Sequence, residues 1–292
     1  MTDTYTLLLK ISLVIFMAGN LMDMGLRLNP VDAIKGLRNI PFVVHTLVWG
    51  FIVGPAVAYV ITLIIPLEPP YAMGLILLGM TPCAPFVPLF VDKAKGDLGY
   101  TASFMLLVAI ATIVFMPFAV PFMVTGLSVS AWAIAKPLII MILIPLIIGM
   151  VILHFSADIA GKIQPYVKKI TALFTIFTFV LIIIVYGEGI ISVEGSLAVA
   201  SQLIFFLILT VFTYWFGFGL KHEQKIILSV GMSTRNLGAA IAPLFSAAAI
   251  DQRAIVMVVL GLPLMVLFAM LSVKWFGKPP LTNNKSQMEE DL

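Results

Sequence analysis

Long apolar stretches separated by short polar clusters run through the whole chain. A helix needs ~20 apolar residues to cross ~30 Å of hydrocarbon. On that rule the pattern predicts nine spans, at about 6–26, 40–65, 71–93, 99–125, 132–154, 167–187, 197–219, 226–247 and 253–275. The runs lack the alternating ~10-residue segments of an outer-membrane barrel. The expected class is therefore an all-α integral membrane protein. Connections are short, so residues 1–276 are read as a single transmembrane domain. From Gly277 the chain turns polar around Pro279 and Pro280, and 277–292 is expected to be a disordered cytoplasmic tail.

Composition sharpens this reading. Hydrophobic residues make up 61% of the 292 residues and charged ones 11%, with a mean hydropathy of +1.13. A soluble domain runs nearer ~45–50% apolar and ~25% charged. The apolar residues are too many to hide in a core, so lipid must be the solvent for most of the chain. A soluble enzyme, a nucleic-acid binder and a disordered protein are excluded. The single cysteine, Cys83, allows no internal disulfide. The N-terminus has no basic segment before its apolar run, so it reads as a first membrane helix and not a cleaved signal.

Charge sets the orientation. With the N-terminus outside, thirteen Lys and Arg fall in cytoplasmic segments, against only Lys10, Lys136 and Arg253 outside. That is the positive-inside bias of an inner-membrane, multi-pass protein with a cytoplasmic C-terminus.

Spans three and eight resemble each other. Gly79-Met80-Thr81 opens a run ending Pro88-Leu89-Phe90, and Gly231-Met232-Ser233 opens one ending Pro243-Leu244-Phe245. They lie five helices apart, so the two copies cross in opposite directions. This predicts inverted repeats, about 6–125 and 167–275, joined by a linking helix at about 132–154. Both spans are interrupted. Pro82, Pro85 and Pro88 each remove a backbone donor and restrict the preceding residue. Ser233-Thr234-Arg235-Asn236-Leu237-Gly238 is a polar island inside an apolar span. Irregular backbone at membrane depth survives only where protein covers it or it lines a cavity. The two breaks are therefore expected to face each other, with Gly238 ending the second. Matched, inverted, discontinuous helices are the best sequence pointer to a transport site near the midplane. A simple proline kink in span three is the plainer alternative.

At these residues the sequence resembles the bile acid:sodium symporter family. Pro82 with its break, then Lys95-Gly96-Asp97 and a new span, looks like that family's first crossing helix. Gly231-Met232 with its polar cluster and Asn236-Leu237 looks like the second. Phe16-Met17-Ala18-Gly19-Asn20 and the basic first loop also fit. The resemblance implies a core domain carrying both crossed helices, a panel domain moving against it, and sodium-driven uptake of bile acids or small carboxylic acids. Several positions depart from the family. Its Ser-Asn sodium pair falls here at Val87-Pro88, a glutamate at Ser229, and a Gln-Asn pair at Ser233-Thr234. A glutamine falls at Gly50, and of two hydroxyl ligands Thr101 remains while the other falls at Met105. Sodium wants several oxygens, preferably with a carboxylate, by the logic of hard-cation ligation. Transport is better supported than sodium coupling. Thr101, Ser229 and Asp23 are the remaining candidates for coupling an ion.

Arg235 lies near the middle of span eight, and no other arginine lies mid-span. Such an arginine costs about 2.5–3.5 kcal/mol on insertion scales, and it does not lose its proton. It needs a counter-charge from the ligand or from the protein, for which Asp23 is the nearest acid in depth. The expected site is a substrate carboxylate held by Arg235, with Asn236, Thr234, Ser233 and Thr81 completing its hydrogen bonds. Asp23 can instead pair with Arg27 one turn on. His45 and His154 read as interfacial, and Gln202 and Thr213 as residues that could face the site.

The sequence holds no nucleophile–base pair, metal-ligand cluster, dinucleotide fingerprint or Walker motif. No cofactor, metal or enzymatic activity is expected. The leading expectation is a secondary transporter of a small organic anion, by alternating access. A proton-coupled or uncoupled carrier is the nearest variant. A metalloid efflux carrier of the arsenite type, which relies on a cysteine in the first crossing, is the rival that Cys83 keeps open. The partners expected are the bilayer and the small anion; oligomeric state is left open.

Overall fold

The computed structural model describes residues 2–28, 30–124, 129–191, 197–247 and 251–277. Among them the regular structure is helix apart from one antiparallel bridge, Pro82 with Arg235. In chain order the helices are α1 (Thr2–Gly25), α2 (Pro30–Leu37), α3 (Ile40–Val48), α4 (Gly54–Ile64), α5 (Pro69–Gly79), α6 (Val87–Lys93) and α7 (Leu98–Met123). They continue as α8 (Ala131–Leu138), α9 (Ile144–Phe155), α10 (Ala157–Ile191), α11 (Ala198–Trp215), α12 (His222–Met232), α13 (Leu237–Phe245) and α14 (Gln252–Phe276). Five-residue π-helical turns, Trp49–Val53 and Ile139–Leu143, join α3 to α4 and α8 to α9. Each precedes a proline, Pro55 or Pro145. A proline cannot donate to the preceding turn, and a widened turn accommodates the loss without ending the helix.

Seven helical stretches are long and apolar enough to cross a membrane: Thr4–Gly25, Ile40–Ile64, Leu98–Met123, Ala131–Phe155, Ala157–Val185, Ala198–Trp215 and Gln252–Phe276. The chain is thus a multi-pass, all-α membrane protein. Two of the nine expected spans are absent from that set, because each is split. α5 and α12 have 11 residues each, about 16 Å at 1.5 Å per residue, or half of the hydrocarbon thickness. α6 and α13 are shorter still.

Other boundaries also move. The sixth span was expected to begin near 167, but α10 starts at Ala157 and runs through Pro165 without a break. The basic segment around Lys162, Lys168 and Lys169 is therefore helix and not loop. The short α2 was not expected; it is amphipathic and packs on α7, where Gly36 leaves room for Ser103. The tail beyond Gly277 lies outside the described residues.

Small residues bring backbones close. α1 packs against α9 and α10. A Cβ on Gly149 would sit 2.6 Å from the Met22 carbonyl, and one on Gly25 would collide with the Leu146 carbonyl. Gly19 meets the Thr171 hydroxyl in the same way. Such contacts are the usual glue between membrane helices, where lipid supplies no hydrophobic drive. A second group packs around α14, with α5 and α11 on it; Gly74 lies against the Ala254 carbonyl. The two broken helices belong to this second group.

Candidate functional site

The site grows from two interrupted helices. α5 ends at Gly79, and α6 does not begin until Val87. Pro82 and Pro85 lie within the gap. Pro88 does not: it sits in the first turn of α6, where its missing N–H costs nothing. α12 ends at Met232 and α13 begins at Leu237, so the second break is 233–236. Gly238 lies inside the first turn of α13 and does not make the break. Gly238 instead allows a close approach, since a Cβ there would overlap the Met17 thioether of α1.

The two gaps satisfy each other. Cys83 N donates to the Thr234 carbonyl (3.0 Å), and Asn236 N donates to the Thr81 carbonyl (2.9 Å). Ala84 N donates to the Thr234 hydroxyl (3.1 Å). In effect the breaks form a two-stranded ladder of minimal length inside the helix bundle. Cys83 adopts a left-handed backbone, φ 72°, a conformation few non-glycine residues take.

Of the expected site residues, Thr81, Ser233, Thr234 and Arg235 are fully buried. Their hydroxyl protons are committed to backbone carbonyls. Thr81 donates back to Leu77, Ser233 to Val230 and Thr234 to Gly231. Asn236 caps α13, its Oδ1 accepting from Ala239 N (3.1 Å). It also lines a cavity of about 20 Å³ together with Pro82, Cys83, Pro85 and, from α1, Leu21 and Met24. That is room for one water.

Arg235 turns elsewhere. Its Nη2 donates to the Met232 carbonyl (3.0 Å), the last residue of α12. Its guanidinium lies 4.9 Å over the Phe205 ring of α11. It reaches α4, with Nη1 beside Gly54, which follows the π-helical turn. Nε and Nη1 have no hydrogen-bond partner. Among the described residues no carboxylate pairs with it. Asp23, the acid nearest in expected depth, pairs with Arg27 and accepts from Gln164 Nε2 of α10 (2.7 Å). An Arg235–Asp23 pair does not form.

A positive side chain at the C-terminal end of a half-helix is favourable, because the helix dipole presents partial negative charge there. The Phe205 face adds a cation–π contact. Sequence reasoning identified Arg235 but missed Phe205 and Gly54. The signal for Gly54 was Gly54-Pro55, two structure-breaking residues in mid-span. A phenylalanine among 21 in the sequence carries no such mark.

A family model described as the Sodium Bile acid symporter family matches residues 13–193. The chain belongs to that family. As a member it is a membrane transporter, embedded in a bilayer and acting on a small molecule; the family's members are transporters and not enzymes. The match covers the first broken helix, while the second is tied to it by the crossing just described. No curated protein matches the chain.

The positions that the resemblance gives as sodium ligands can now be placed. Ser229 donates to the Thr210 carbonyl (2.7 Å) and accepts from Ser272 (2.8 Å). Thr101 donates to the Asp97 carbonyl (2.7 Å). Gly50 faces the Pro82 ring and the Met232 methyl, where a Cβ would stand 3.1 Å from Pro82 Cγ. Val87 and Met105 are buried apolar residues. None of these positions offers a carboxylate. Gln202, a further candidate, donates to the Met257 carbonyl and ties α11 to α14.

Proposed function

We propose that this symporter-family protein is a secondary active transporter of a small organic anion, working by alternating access. The two half-helix pairs count as two further crossings, making nine in inverted repeats. The α1, α9 and α10 group is the panel, and the group carrying the crossing is the core. The protein sits in the inner membrane, N-terminus outside and C-terminus in the cytoplasm. The arrangement of cavities supports this reading. One of about 160 Å³ meets α1 at Lys10–Met17, the small one at Leu21 and Met24, and one of about 250 Å³ at Met24–Leu28. They follow one face of α1, at helical spacing, and are narrowest at the crossing.

The observation that carries the proposal is the buried Arg235 guanidinium, with two unpaired nitrogens and no carboxylate partner among the described residues. The donor set around it does not suit a sodium ion, since among the described residues it offers no carboxylate and a fixed positive charge already lies there. Arg235 stands in for the coupling cation. The carboxylate of the cargo binds on the cavity side, at Asn236 and the positive N-terminal end of α13. Ser233, Thr234 and Thr81 hold the crossing in shape behind it.

The test is uptake of labelled carboxylates into proteoliposomes, with sodium and pH gradients applied separately. Uptake that persists without sodium is expected. Loss of uptake on sodium removal, or no carboxylate carried at all, overturns the proposal. A second reading, metalloid efflux, is favoured by one fact: Cys83 lines the crossing cavity. Full transport by Cys83→Ser eliminates it.

A further inference from the structure

The 160 Å³ cavity lies away from the crossing, between α1, the α8 end and α13. Lys10 and Phe245 stand at one end of it, with Pro137 and Met141 along its wall. At the other end Met17 packs on Gly238, two residues from Asn236. Its lining is apolar except for Lys10 and Ser246. Ser246 has no spare donor: its single hydroxyl proton is shared between the Ala242 and Ala133 carbonyls (3.0 and 3.2 Å). Lys10 is then the one group with free donors facing the cavity.

Lys10 also lies toward the outer end of α1, six residues into the candidate span Thr4–Gly25, about 9 Å along the axis, and is exposed. A lysine facing lipid there is costly, and such residues normally face a cavity or a partner. Among the described residues Lys10 has no carboxylate partner. Its ammonium instead lies 5.2 Å over the Phe245 ring, a contact that an incoming anion can replace or share.

We infer that this cavity is a second binding site, for a small monocarboxylate, with Lys10 holding the carboxylate and the apolar wall holding a short hydrocarbon body. The inference rests on the reading that the cargo is an anion, and it narrows the class. The volume equals about five waters of liquid, well below the ~300 Å³ at which pockets begin to enclose drug-sized ligands. A steroid-sized acid does not fit, whereas an acid of a few carbons does. With Met17 packed on Gly238 between it and Asn236, the cavity is a waiting site, from which the anion passes to Asn236 when the α1 group moves away from α13.

The experiment uses the full-length protein with Cys83→Ser and Ser246→Cys, which places one thiol at the cavity's edge. The rate of modification by a small water-soluble maleimide is measured against straight-chain acids from acetate to octanoate. The primary amides of the same lengths serve as uncharged controls. Short acids are expected to slow labelling and the amides not to. Lys10→Met should raise the half-protecting acid concentration about tenfold or more, the loss of one charged hydrogen bond; Lys10→Arg should largely retain protection. Absence of protection by any acid, equal protection by the amides, or full protection in Lys10→Met overturns the site. Uptake of the same acids is scored separately. Protection without uptake refutes the transport reading and leaves the site standing; uptake without protection refutes the site alone.

Discussion

The main-chain amide of Asn236 donates to the carbonyl of Thr81 across 2.9 Å, joining two chain breaks 155 residues apart in sequence. In water such a bond would be nearly neutral, because solvent can replace it. In hydrocarbon it has no substitute, and each unsatisfied peptide group costs several kcal/mol. The reciprocal bond from Cys83 to Thr234 completes the exchange. Neither break is tenable without the other, so the crossing forms as a unit. That explains how a helix with Pro82 and Pro85 in its gap can be tolerated in lipid.

The Thr234 hydroxyl extends this exchange to Ala84 N, the next amide in the first break. Thr234→Val keeps the shape and strands that amide. A loss of about 1–3 kcal/mol in stability is expected, read as a lower unfolding temperature in detergent, with Thr234→Ser close to wild type. Equal stability of the Val and Thr forms would show that Ala84 N finds another acceptor.

Close approach at Gly231 is a packing requirement of a different kind. A Cβ there would overlap the ring of Phe104 on α7, a fully buried aromatic that cannot swing aside. Gly231→Ala is expected to destabilise the protein by about 1–3 kcal/mol, the cost of overpacking. Phe104→Leu in the same chain should recover part of that loss. The check is a double-mutant cycle on thermal unfolding; strict additivity of the two changes would place the strain elsewhere.

The helices were largely legible in the sequence, because apolar run length is set by bilayer thickness. Both interruptions were legible too, in Pro82–Pro88 and the polar island 233–238, although a proline kink was an alternative in span three; the structure puts the gaps at 80–86 and 233–236. Orientation of side chains at the breaks was not. Asn236 and Arg235 are neighbours, yet one lines the small cavity and the other points among α4, α11 and α12. Only the pairing of the two extended segments decides which goes where. The partner of Asp23 was half legible: Arg27 follows from helical spacing, but Gln164 lies 141 residues away. Helical periodicity carries no information about such distant pairs.

Asp23 itself gives a sharp expectation. Its two oxygens are taken by Arg27 and Gln164, which join α1 to α10 within one packing group. Both partners hold the carboxylate in place, so the expectation is a structural role. Asp23→Asn should lower stability modestly and leave the pH dependence of uptake unchanged. A shift in the pH profile of uptake in Asp23→Asn would assign the residue to coupling after all.

Arg235 provides the strongest test. A guanidinium in mid-membrane costs several kcal/mol and cannot relieve that cost by deprotonation. The surroundings answer only part of its charge: one carbonyl at the end of α12, the face of Phe205 and, among the described residues, no acid. A purely structural arginine would be expected to carry a carboxylate partner. A residue kept as a fixed cation, for the field it lends to an anion site beside it, would not. Arg235→Gln removes the charge while retaining a donor for Met232, so folding should survive. Binding of the cargo should weaken by about 1–3 kcal/mol, roughly ten- to a hundredfold, the scale of removing a nearby charge that acts through its field and not by contact. Arg235→Lys keeps the charge but not the fork or the broad stack on Phe205. It should retain a measurable part of uptake with a raised KM. Sodium should not matter to the wild type in either orientation of the gradient. Normal transport by Arg235→Gln would reduce Arg235 to a helix cap. Arrest of wild-type transport on sodium removal would mean that a mobile cation still couples the cycle, and the fixed-charge account would fail with it.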